Sequence, residues 1–258
     1  MKKINVLLAL AAVVTFTVFG CGKKENDEEQ GATPAATATV DPATAGNITG
    51  KVSFEGPAPA KGDPIKMNAD PVCMKMHPDA MYQTPVIVNA NNTLSNVFIY
   101  VKAGPVVGMK FPVPTTPVQI DQKGCMYSPH VFGIQVGQKL SIKNDDPTLH
   151  NIHAHPTVND QFNAAEPNQG MVIEKTFSKA EVPVPFRCDV HNWMNAYAGV
   201  VDNPFFAVTG EDGSFSLKGL PPGTYTIAAW HEKYPAQEQT VTIGAKESKD
   251  ITFSFKGQ

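Results

Sequence analysis

The sequence is poor in cysteine and tryptophan and has no excess of positive charge. It contains 4 cysteines and 2 tryptophans in 258 residues, and its formal net charge is -3. So few cysteines exclude a small scaffold held together by many disulfides. The negative balance excludes a nucleic-acid binder driven by bulk basicity, so we expect no nucleic-acid partner. Hydrophobic residues make up 42% of the chain, which is enough to bury real cores.

The N-terminal residues have the pattern of an export signal. Lys2 and Lys3 give a positive start, and residues 6–19 form an uncharged, mainly apolar run. Such a run is typical of a secretory signal peptide and is too short for a membrane span. Residues 18–21, Val-Phe-Gly-Cys, resemble a bacterial lipobox, which implies cleavage before Cys21 and a lipid on its sulfur. The alternative is a plain signal peptide followed by an incidental cysteine.

These features predict where the protein resides and how its N-terminal region is organised. Residues 1–20 are the expected lipoprotein signal peptide. Residues 21–46, which are charged and then rich in Ala, Thr and Pro without an aromatic residue, are the expected disordered tether. We therefore expect a lipid-anchored protein of the bacterial cell envelope, on the periplasmic or outer-membrane side.

The rest of the chain has the pattern of an all-β protein. Sustained helical periodicity is missing, and short alternating or β-branched runs recur between turn residues, which favours antiparallel β-sandwiches. Short helices are expected near His77 and Glu166. The predicted strands span residues 48–54, 85–88, 96–101, 118–121, 131–136, 139–143, 171–177, 182–186, 198–201, 214–217, 224–230, 240–243 and 251–255.

The densest group of reactive side chains lies in residues 188–194. Cys188, His191 and Met194 follow one another at C-x2-H-x2-M spacing. Thiolate, imidazole and thioether are the soft and borderline ligands that select copper over magnesium or calcium. Because only two residues separate each ligand from the next, a tight loop can direct all three at one point. A type 1 copper site also needs a second histidine from elsewhere in the chain, because its geometry is His2Cys with a weak axial methionine.

Two segments together resemble the copper-binding segments of cupredoxins. Gly137 before an apolar strand, an Asn-Asp pair and the run His-Asn-Ile at 150–152 resemble the first-ligand segment of plastocyanin-type cupredoxins. The loop 188–194 is similar to that of amicyanin, which has the same C-x2-H-x2-M spacing. The resemblance covers roughly residues 116–202 and implies a cupredoxin-like Greek-key β-sandwich with one type 1 copper.

The resemblance also implies a role for each matching residue. It makes His150, Cys188 and His191 the equatorial ligands and Met194 the axial ligand, with Asn151 as the hydrogen-bonding residue near the thiolate. His153 is the alternative first ligand. However, His153 and His155 share a strand parity that differs from that of His150, so in an extended strand they face the other way.

A copper site of this type implies electron transfer rather than catalysis. We expect a membrane-tethered one-electron carrier that meets a redox partner protein, either a cytochrome or an oxidoreductase. Neither an open coordination position nor a general base accompanies the ligands, so we do not expect an enzyme. The alternative is a copper-binding or storage protein that does not transfer electrons, or a scaffold lipoprotein with a β-sandwich interaction module.

Two cysteines remain after Cys21 and Cys188 are assigned. In an oxidising compartment Cys73 and Cys125 most simply form a disulfide. The spacings Cys73-x3-His77 and Cys125-x4-His130 keep a second copper or zinc site open as an alternative, and free thiols are a third. Without that second site, His130 is expected at the surface. His231, which has no partner in the sequence, is also expected at the surface.

The C-terminal part resembles a second family. The G-x-F turn at 213–215 and the run L-P-P-G-x-Y at 220–225 are similar to marks of the carboxypeptidase regulatory-like, transthyretin-like module. That module opens with strands of the kind found at 48–52 and 96–101. We therefore predict a discontinuous transthyretin-like sandwich from residues 47–104 and 203–258, with the cupredoxin domain at 105–202 inserted into it. Members of this second family bind partners or serve structurally.

Overall fold

The computed structural model describes residues 37–257 of the chain. The predicted signal peptide, the lipidated Cys21 and most of the predicted tether lie outside these residues and stay predictions. Residues 37–257 belong to one compact unit. Within them, no helix has the length and apolar character needed to cross a membrane.

The prediction of an all-β fold is confirmed, since strands form almost all the regular structure of the described residues. In chain order, the elements are β1 (Gly46–Glu55), α1 (Pro71–Met76), β2 (Phe98–Ala103), β3 (Val118–Gln122), β4 (Tyr127–Ser128), β5 (Val131–Gln135), β6 (Leu140–Asn144), β7 (His150–Ala154), β8 (Phe162–Glu166), β9 (Val172–Lys175), β10 (Glu181–Arg187), β11 (Asn195–Val201), β12 (Phe206–Val208), β13 (Ser214–Leu220), β14 (Gly223–Trp230), β15 (Gln237–Ile243) and β16 (Ser248–Lys256).

The first β-sandwich combines early and late strands of the chain. One sheet has the order β13-β1-β16, and the other has the order β12-β2-β14-β15. β1 pairs antiparallel with β13 and parallel with β16, so it lies between two C-terminal strands. Alternate residues of both sheets, among them Ile48, Ile99, Tyr225 and Phe253, form one buried cluster. The first strands are thus packed against the C-terminal ones, while the predicted domain boundaries stay a prediction.

The second β-sandwich comes from the middle of the chain. Its sheets have the orders β5-β11-β10-β7-β8 and β4-β3-β6-β9. Residues of both sheets, such as Ile120, Phe132 and Phe186, share a second buried cluster. The same cluster contains Cys188, Trp193 and Met194. The predicted ligand loop therefore lies at one end of a packed core, next to the first residues of β7.

The two sandwiches meet through aromatic rings of one and glycines of the other. Phe98 and Phe206 of the first sandwich pack beside Val131 and Val201 of the second. A Cβ added at Gly199 would lie 2.1 Å from the Phe98 ring. Glycine is therefore required there by close approach, because any side chain would push the aromatic ring out of the interface.

Local structure departs from the sequence predictions at two segments. Glu166 ends strand β8 rather than lying near a helix, because β8 pairs along its length with β7 and this tertiary pairing overrides the helix preference of its alanines. The predicted strand 85–88 contributes only one isolated bridge, Val88 to Leu94. Pro85 removes a backbone donor there, which is unfavourable for a sheet ladder. The helix expected near His77 is α1, which ends at Met76 with His77 as its C-cap.

The prediction that His231 lies at the surface is wrong. Its side chain is 2% exposed and packs against the rings of Tyr234 and Phe255. Nδ1 accepts a hydrogen bond from the backbone N–H of Lys233, whereas Nε2 has no partner. Burial lowers the pKa of His231 to about 4, since a charged imidazole loses its hydration in this position. Nothing in a single sequence indicated that β14 ends by directing this histidine inward.

This burial predicts that His231 destabilises the fold in acid. Its pKa is lower in the folded state than in the unfolded one, so unfolded chains bind more protons between about pH 6.5 and pH 4, and stability falls as the pH falls through this window. The loss from this group reaches about 3 kcal/mol at the acid end. We expect His231→Phe to remove that part of the pH dependence, as measured by urea unfolding of the metal-free protein from pH 7 to pH 4. Equal slopes for the wild type and the variant would contradict the prediction.

Candidate metal centre

The loop that carries three of the predicted ligands closes a β-hairpin. β10 ends at Arg187 and the antiparallel β11 begins at its pairing partner Asn195, so residues 188–194 form the turn between the two strands. The backbone N–H of Cys188 donates to the carbonyl of Met194 over 3.1 Å. The N–H of Met194 donates to the carbonyl of His191 over 2.9 Å. These bonds fold the loop back on itself and bring its two ends together.

The fourth predicted ligand comes from β7 and faces this loop. His150 is fully buried, and its Nδ1 lies 2.9 Å from Nδ1 of His191. The Cys188 sulfur lies 4.0 Å from the same His191 nitrogen. One ligand atom from each of these residues falls within 4.8 Å of the others. Met194 is fully buried in the same core cluster, so the four side chains share one end of the sandwich.

A carboxylate holds the outer nitrogen of each imidazole. Nε2 of His150 lies 2.9 Å from Oδ2 of Asp146, and Nε2 of His191 lies 2.9 Å from Oδ2 of Asp70. A carboxylate only accepts hydrogen bonds when ionised, so each Nε2 carries the proton and each Nδ1 is left with its lone pair. The carboxylates therefore fix the tautomer in which both imidazoles present metal-binding nitrogens to the same point.

This arrangement fits a bound metal cation. Two Nδ1 lone pairs 2.9 Å apart in a buried site repel each other unless a proton or a cation lies between them. A thiolate beside them adds negative charge to the same point. Two imidazoles, a thiolate and a nearby thioether are the donor set of blue-copper sites, with zinc as the other borderline ion that such donors accept.

The pKa values of the two histidines reflect the same charges. Burial lowers the pKa of an imidazole, but the carboxylate of Asp146 and the sulfur of Cys188 outweigh burial at His150 and raise its pKa to about 9. The pKa of His191 is also raised, because the sulfur and Asp70 outweigh burial there. In the metal-free protein the site thus holds a proton that a metal ion would displace.

The cysteine is prepared to act as a thiolate. Burial opposes its ionisation, but hydrogen bonds with His150 and His191 outweigh burial and lower the pKa of Cys188 to about 6. The backbone N–H of His191 also donates to the sulfur over 3.3 Å. A low thiol pKa favours metal binding, since the thiolate is the form that ligates.

Asn151 ties the two ligand segments together. Its Oδ1 lies 3.2 Å from the sulfur of Cys188 and accepts the backbone N–H of Asp189 over 2.7 Å. The same oxygen accepts the N–H of Val190 over 3.3 Å. One side chain on β7 therefore holds the start of the 188–194 loop in place.

The disulfide connects the two supporting carboxylates. Cys73 and Cys125 are bonded to each other and buried. Oδ1 of Asp70, the N-cap of α1, accepts the backbone N–H of Cys73 over 3.2 Å. Oδ2 of Asp146 accepts the N–H of Cys125 over 2.7 Å. Asp70 therefore links His191 to Cys73, and Asp146 links His150 to Cys125. The disulfide joins these two pairs of contacts.

A tryptophan and α1 cover the outer side of His191. The Trp193 ring lies 5.0 Å from the His191 ring, and its Nε1 donates to the carbonyl of Cys125 over 3.0 Å. At the N-terminus of α1, the N-cap Asp70 contacts Nε2 of His191. His191 is consequently only 2% exposed.

The remaining sequence candidates lie apart from this centre. His153 faces the other side of β7 and contacts Asp189, as its strand parity predicted. Nε2 of His77 donates to the carbonyl of Gly124 over 2.6 Å. His130 is half-buried rather than at the surface, since it pairs with Glu232 of the first sandwich. Cys73 and Cys125, the cysteines of the alternative second metal site, are joined to each other by a disulfide.

Sequence reasoning missed the supporting residues. In the sequence, Asp146 belongs to an Asn-Asp-Asp run typical of a turn, and Asp70 is an acidic residue before a proline. Neither pattern indicates a contact with a ligand histidine. The one signal available for Asp70 was its position as N-cap before Pro71, which predicts a helix start but not a contact with His191. The chain separates Asp70 from His191 by 121 positions, so only the fold reveals their contact.

The family comparison identifies one module of the chain. The carboxypeptidase regulatory-like domain model matches residues 199–256, so the predicted module of that family is confirmed. Rhamnogalacturonate lyase A of Emericella nidulans is 35% identical over 69 residues, which cover 26% of this chain and 12% of that protein. A probable rhamnogalacturonate lyase A of Aspergillus terreus is 36% identical over 73 residues, which cover 28% and 13%. The chain therefore spans only about an eighth of the curated relatives that it matches.

Solved structures similar to this chain include several cupredoxins. An amicyanin variant in the Cu(I) form is 19% identical and covers 34% of this chain and 85% of its own, with a TM-score of 0.30. A purple cupredoxin from Nitrosopumilus maritimus is 26% identical and covers 32% and 98%, with a TM-score of 0.28. A copper-containing nitrite reductase from Thermus scotoductus is 22% identical and covers 39% and 26%, with a TM-score of 0.30. The assignment of a metal centre in this chain rests on its own side chains.

The contact between Asp70 and His191 predicts a loss of metal affinity in Asp70→Asn. An amide in this position cannot accept from both His191 and the α1 backbone, so one of the two loses its acceptor. We expect copper affinity to fall about tenfold to hundredfold, the usual cost of removing an outer partner of a ligand histidine. Competition with a copper chelator measures this change.

Asp79→Asn is the matched control, because it removes an equal charge from an exposed residue of the same segment. We expect it to bind copper like the wild type. Equal affinity of Asp70→Asn and Asp79→Asn would show that the Asp70 contact does not support the site.

Proposed function

We propose that this protein is a type 1 copper protein that carries single electrons in the bacterial cell envelope. The observation that carries the proposal is the buried group of His150, Cys188 and His191, with both imidazole tautomers fixed by carboxylates and with Met194 at the end of the same loop. Copper bound there would supply a one-electron Cu(I)/Cu(II) couple.

The protein's part in such a couple is to keep the ligands in one geometry. A ligand set that moves little between the two oxidation states exchanges electrons with little reorganisation, and contacts around the ligands tune the potential. Three restraints support this role here. Asn151 holds the backbone after Cys188, the carboxylates orient both imidazoles, and the Cys73–Cys125 disulfide anchors the carboxylates.

The site favours a carrier over an enzyme. The ligand histidines are almost completely buried, and Trp193 and α1 cover the outer edge of His191. A substrate would need access to the reacting centre and a group positioned to exchange protons with it. Both imidazoles instead use their outer nitrogens to hold carboxylates, so neither serves as a general base.

We infer that a redox partner protein, either a cytochrome or an oxidoreductase, docks where the ligand loops reach the surface. Leu149 and Val190 are each about half exposed, at 42% and 48%, and each immediately precedes a ligand histidine. Exposed apolar side chains beside a buried redox centre suit a weak, transient interface that brings a partner close to the ligands.

The cell-envelope location rests on the N-terminal sequence. The export signal and the lipobox-like residues 18–21 favour a lipid anchor at Cys21, and the buried disulfide is compatible with an oxidising compartment. The carboxypeptidase regulatory-like sandwich would then serve as a structural or interaction module. A non-redox copper-binding or storage protein is the second candidate, because the same soft donors also bind Cu(I) tightly.

The copper-loaded protein is expected to show the intense visible absorption of a thiolate-to-Cu(II) transition, and this absorption should vanish in Cys188→Ser. The reason is that the transition starts from the sulfur, and a hydroxyl cannot replace it. Absorption spectroscopy and cyclic voltammetry of the loaded protein measure both expectations. The control Ser141→Ala, on β6 in the other sheet of the same sandwich, should keep the absorption.

Two outcomes would oppose the carrier proposal. Tight Cu(I) binding without colour or a reversible potential after oxidation would favour storage instead. Full colour in Cys188→Ser would exclude Cys188 as the ligand.

Lipid attachment predicts a loss of fatty-acid label in Cys21→Ser. Without the cysteine sulfur no lipid is added, and the lipobox that directs cleavage is lost as well, so the variant should stay unlabelled and keep residues 1–20. Labelling with a radioactive fatty acid and mass spectrometry of the N-terminus measure these changes. Cys188→Ser serves as control, since it removes a cysteine that carries no lipid, and it should be labelled and cleaved like the wild type. A Cys21→Ser protein that was still labelled would oppose the anchor.

A further inference from the structure

A second group of metal-binding side chains lies on the other face of β7. His150 and Ile152 point into the sandwich, whereas His153 is partly exposed on the outer face. His155 follows the end of β7 and is also partly exposed. The two imidazole rings lie 3.9 Å apart between centroids, with an angle of 35° between their planes. None of the proposed roles of the copper centre uses either histidine.

Asp189 completes this outer group. Its Oδ2 lies 3.0 Å from Nδ1 of His153, and its side chain is 51% exposed. One ligand atom from each of His153, His155 and Asp189 falls within 4.8 Å of the others. Nδ2 of Asn163 donates to Asp189 over 2.7 Å, which holds the carboxylate on this side of the loop.

An amide lies where the imidazoles converge. Nε2 of Gln161 lies 2.6 Å from Nε2 of His153 and 3.3 Å from Nδ1 of His155. Two imidazole nitrogens thus face one donor group on the surface. The Gln161 amide therefore occupies Nε2 of His153, which leaves Nδ1, the nitrogen that faces Asp189, to ligate a metal ion together with Asp189 and His155.

The donor set determines which ion such a site prefers. Imidazole nitrogen suits zinc, copper and nickel, and a carboxylate oxygen is compatible with their divalent forms. Magnesium and calcium prefer all-oxygen sites. The outer group has no sulfur ligand, so it does not suit Cu(I), which distinguishes it from the buried centre.

We propose that His153, His155 and Asp189 form a second, surface metal site for a divalent transition-metal ion, with Cu(II) preferred by affinity and Zn(II) also accepted. The site is open to solvent on its outer side, so ions enter it directly. It shares the peptide link between Cys188 and Asp189 with the buried centre, and the side chain of Asn151 contacts both residues. The proposal does not depend on the redox role of the buried centre.

Zinc binding by the copper-loaded protein tests this site. Loading one copper first occupies the buried centre, and Zn(II) is then added in equilibrium dialysis. We expect one further equivalent of Zn(II) to bind to the wild type. Loss of an outer partner alone costs a metal site about tenfold to hundredfold in affinity. Loss of the direct ligand in His155→Asn should therefore weaken zinc binding by at least about tenfold.

Asp160→Asn is the matched control, since it removes a charge from an exposed neighbouring residue outside the group. It should bind zinc like the wild type, and both variants should keep the absorption of the loaded protein. Nitrogen-15 NMR of the histidine rings gives a second measurement, in which zinc should shift the rings of His153 and His155. Absence of a second equivalent in the wild type, or equal zinc affinity in His155→Asn, would overturn the proposal.

Discussion

The contact between each imidazole of the candidate site and a carboxylate is the interaction on which that site depends. Without Asp146 and Asp70, either imidazole could turn its protonated nitrogen inward, and the two Nδ1 lone pairs would not converge. The carboxylates stay ionised although they are partly buried. At Asp70 the hydrogen bonds with Thr148, His191 and the α1 backbone outweigh burial and lower its pKa to about 2. The fold therefore keeps two ionised carboxylates beside the buried imidazoles, where an unpaired charge would lower the stability of the protein.

The disulfide gives these supports a common anchor. Asp70 belongs to the segment before the second sandwich, and Asp146 belongs to the loop between β6 and β7. Cys73 and Cys125 join these distant parts, and each carboxylate accepts the N–H of the nearer cysteine. Because the buried centre relies on residues of the second sandwich and of the segment 56–97, these two parts of the chain support it together. Gly199 allows the close packing of the two sandwiches at a separate interface.

Local patterns predicted those features that depend on neighbouring residues. The C-x2-H-x2-M spacing predicted that Cys188, His191 and Met194 lie together in one loop, and the structure buries all three side chains there. Their role as metal ligands stays a prediction. Alternation in the strand correctly separated His150 from His153. Where a local sequence pattern fitted both helix and strand, pairing with another strand decided the secondary structure. The segment ending at Glu166 has helix-forming alanines, yet β7 draws it into a sheet.

The sequence by itself was enough for the all-β fold, through short-range periodicity, and for the C-terminal module, through its resemblance to a known family. It also grouped Cys188, His191 and Met194 in one loop through their spacing. Only the tertiary structure decided which distant side chains support that loop. Asp70 meets His191 across 121 positions, and His231 turns inward although two charged residues, Glu232 and Lys233, follow it. Both outcomes follow from packing between elements far apart in the chain, where the free energy of burial and of charge pairing depends on partners that no local window contains.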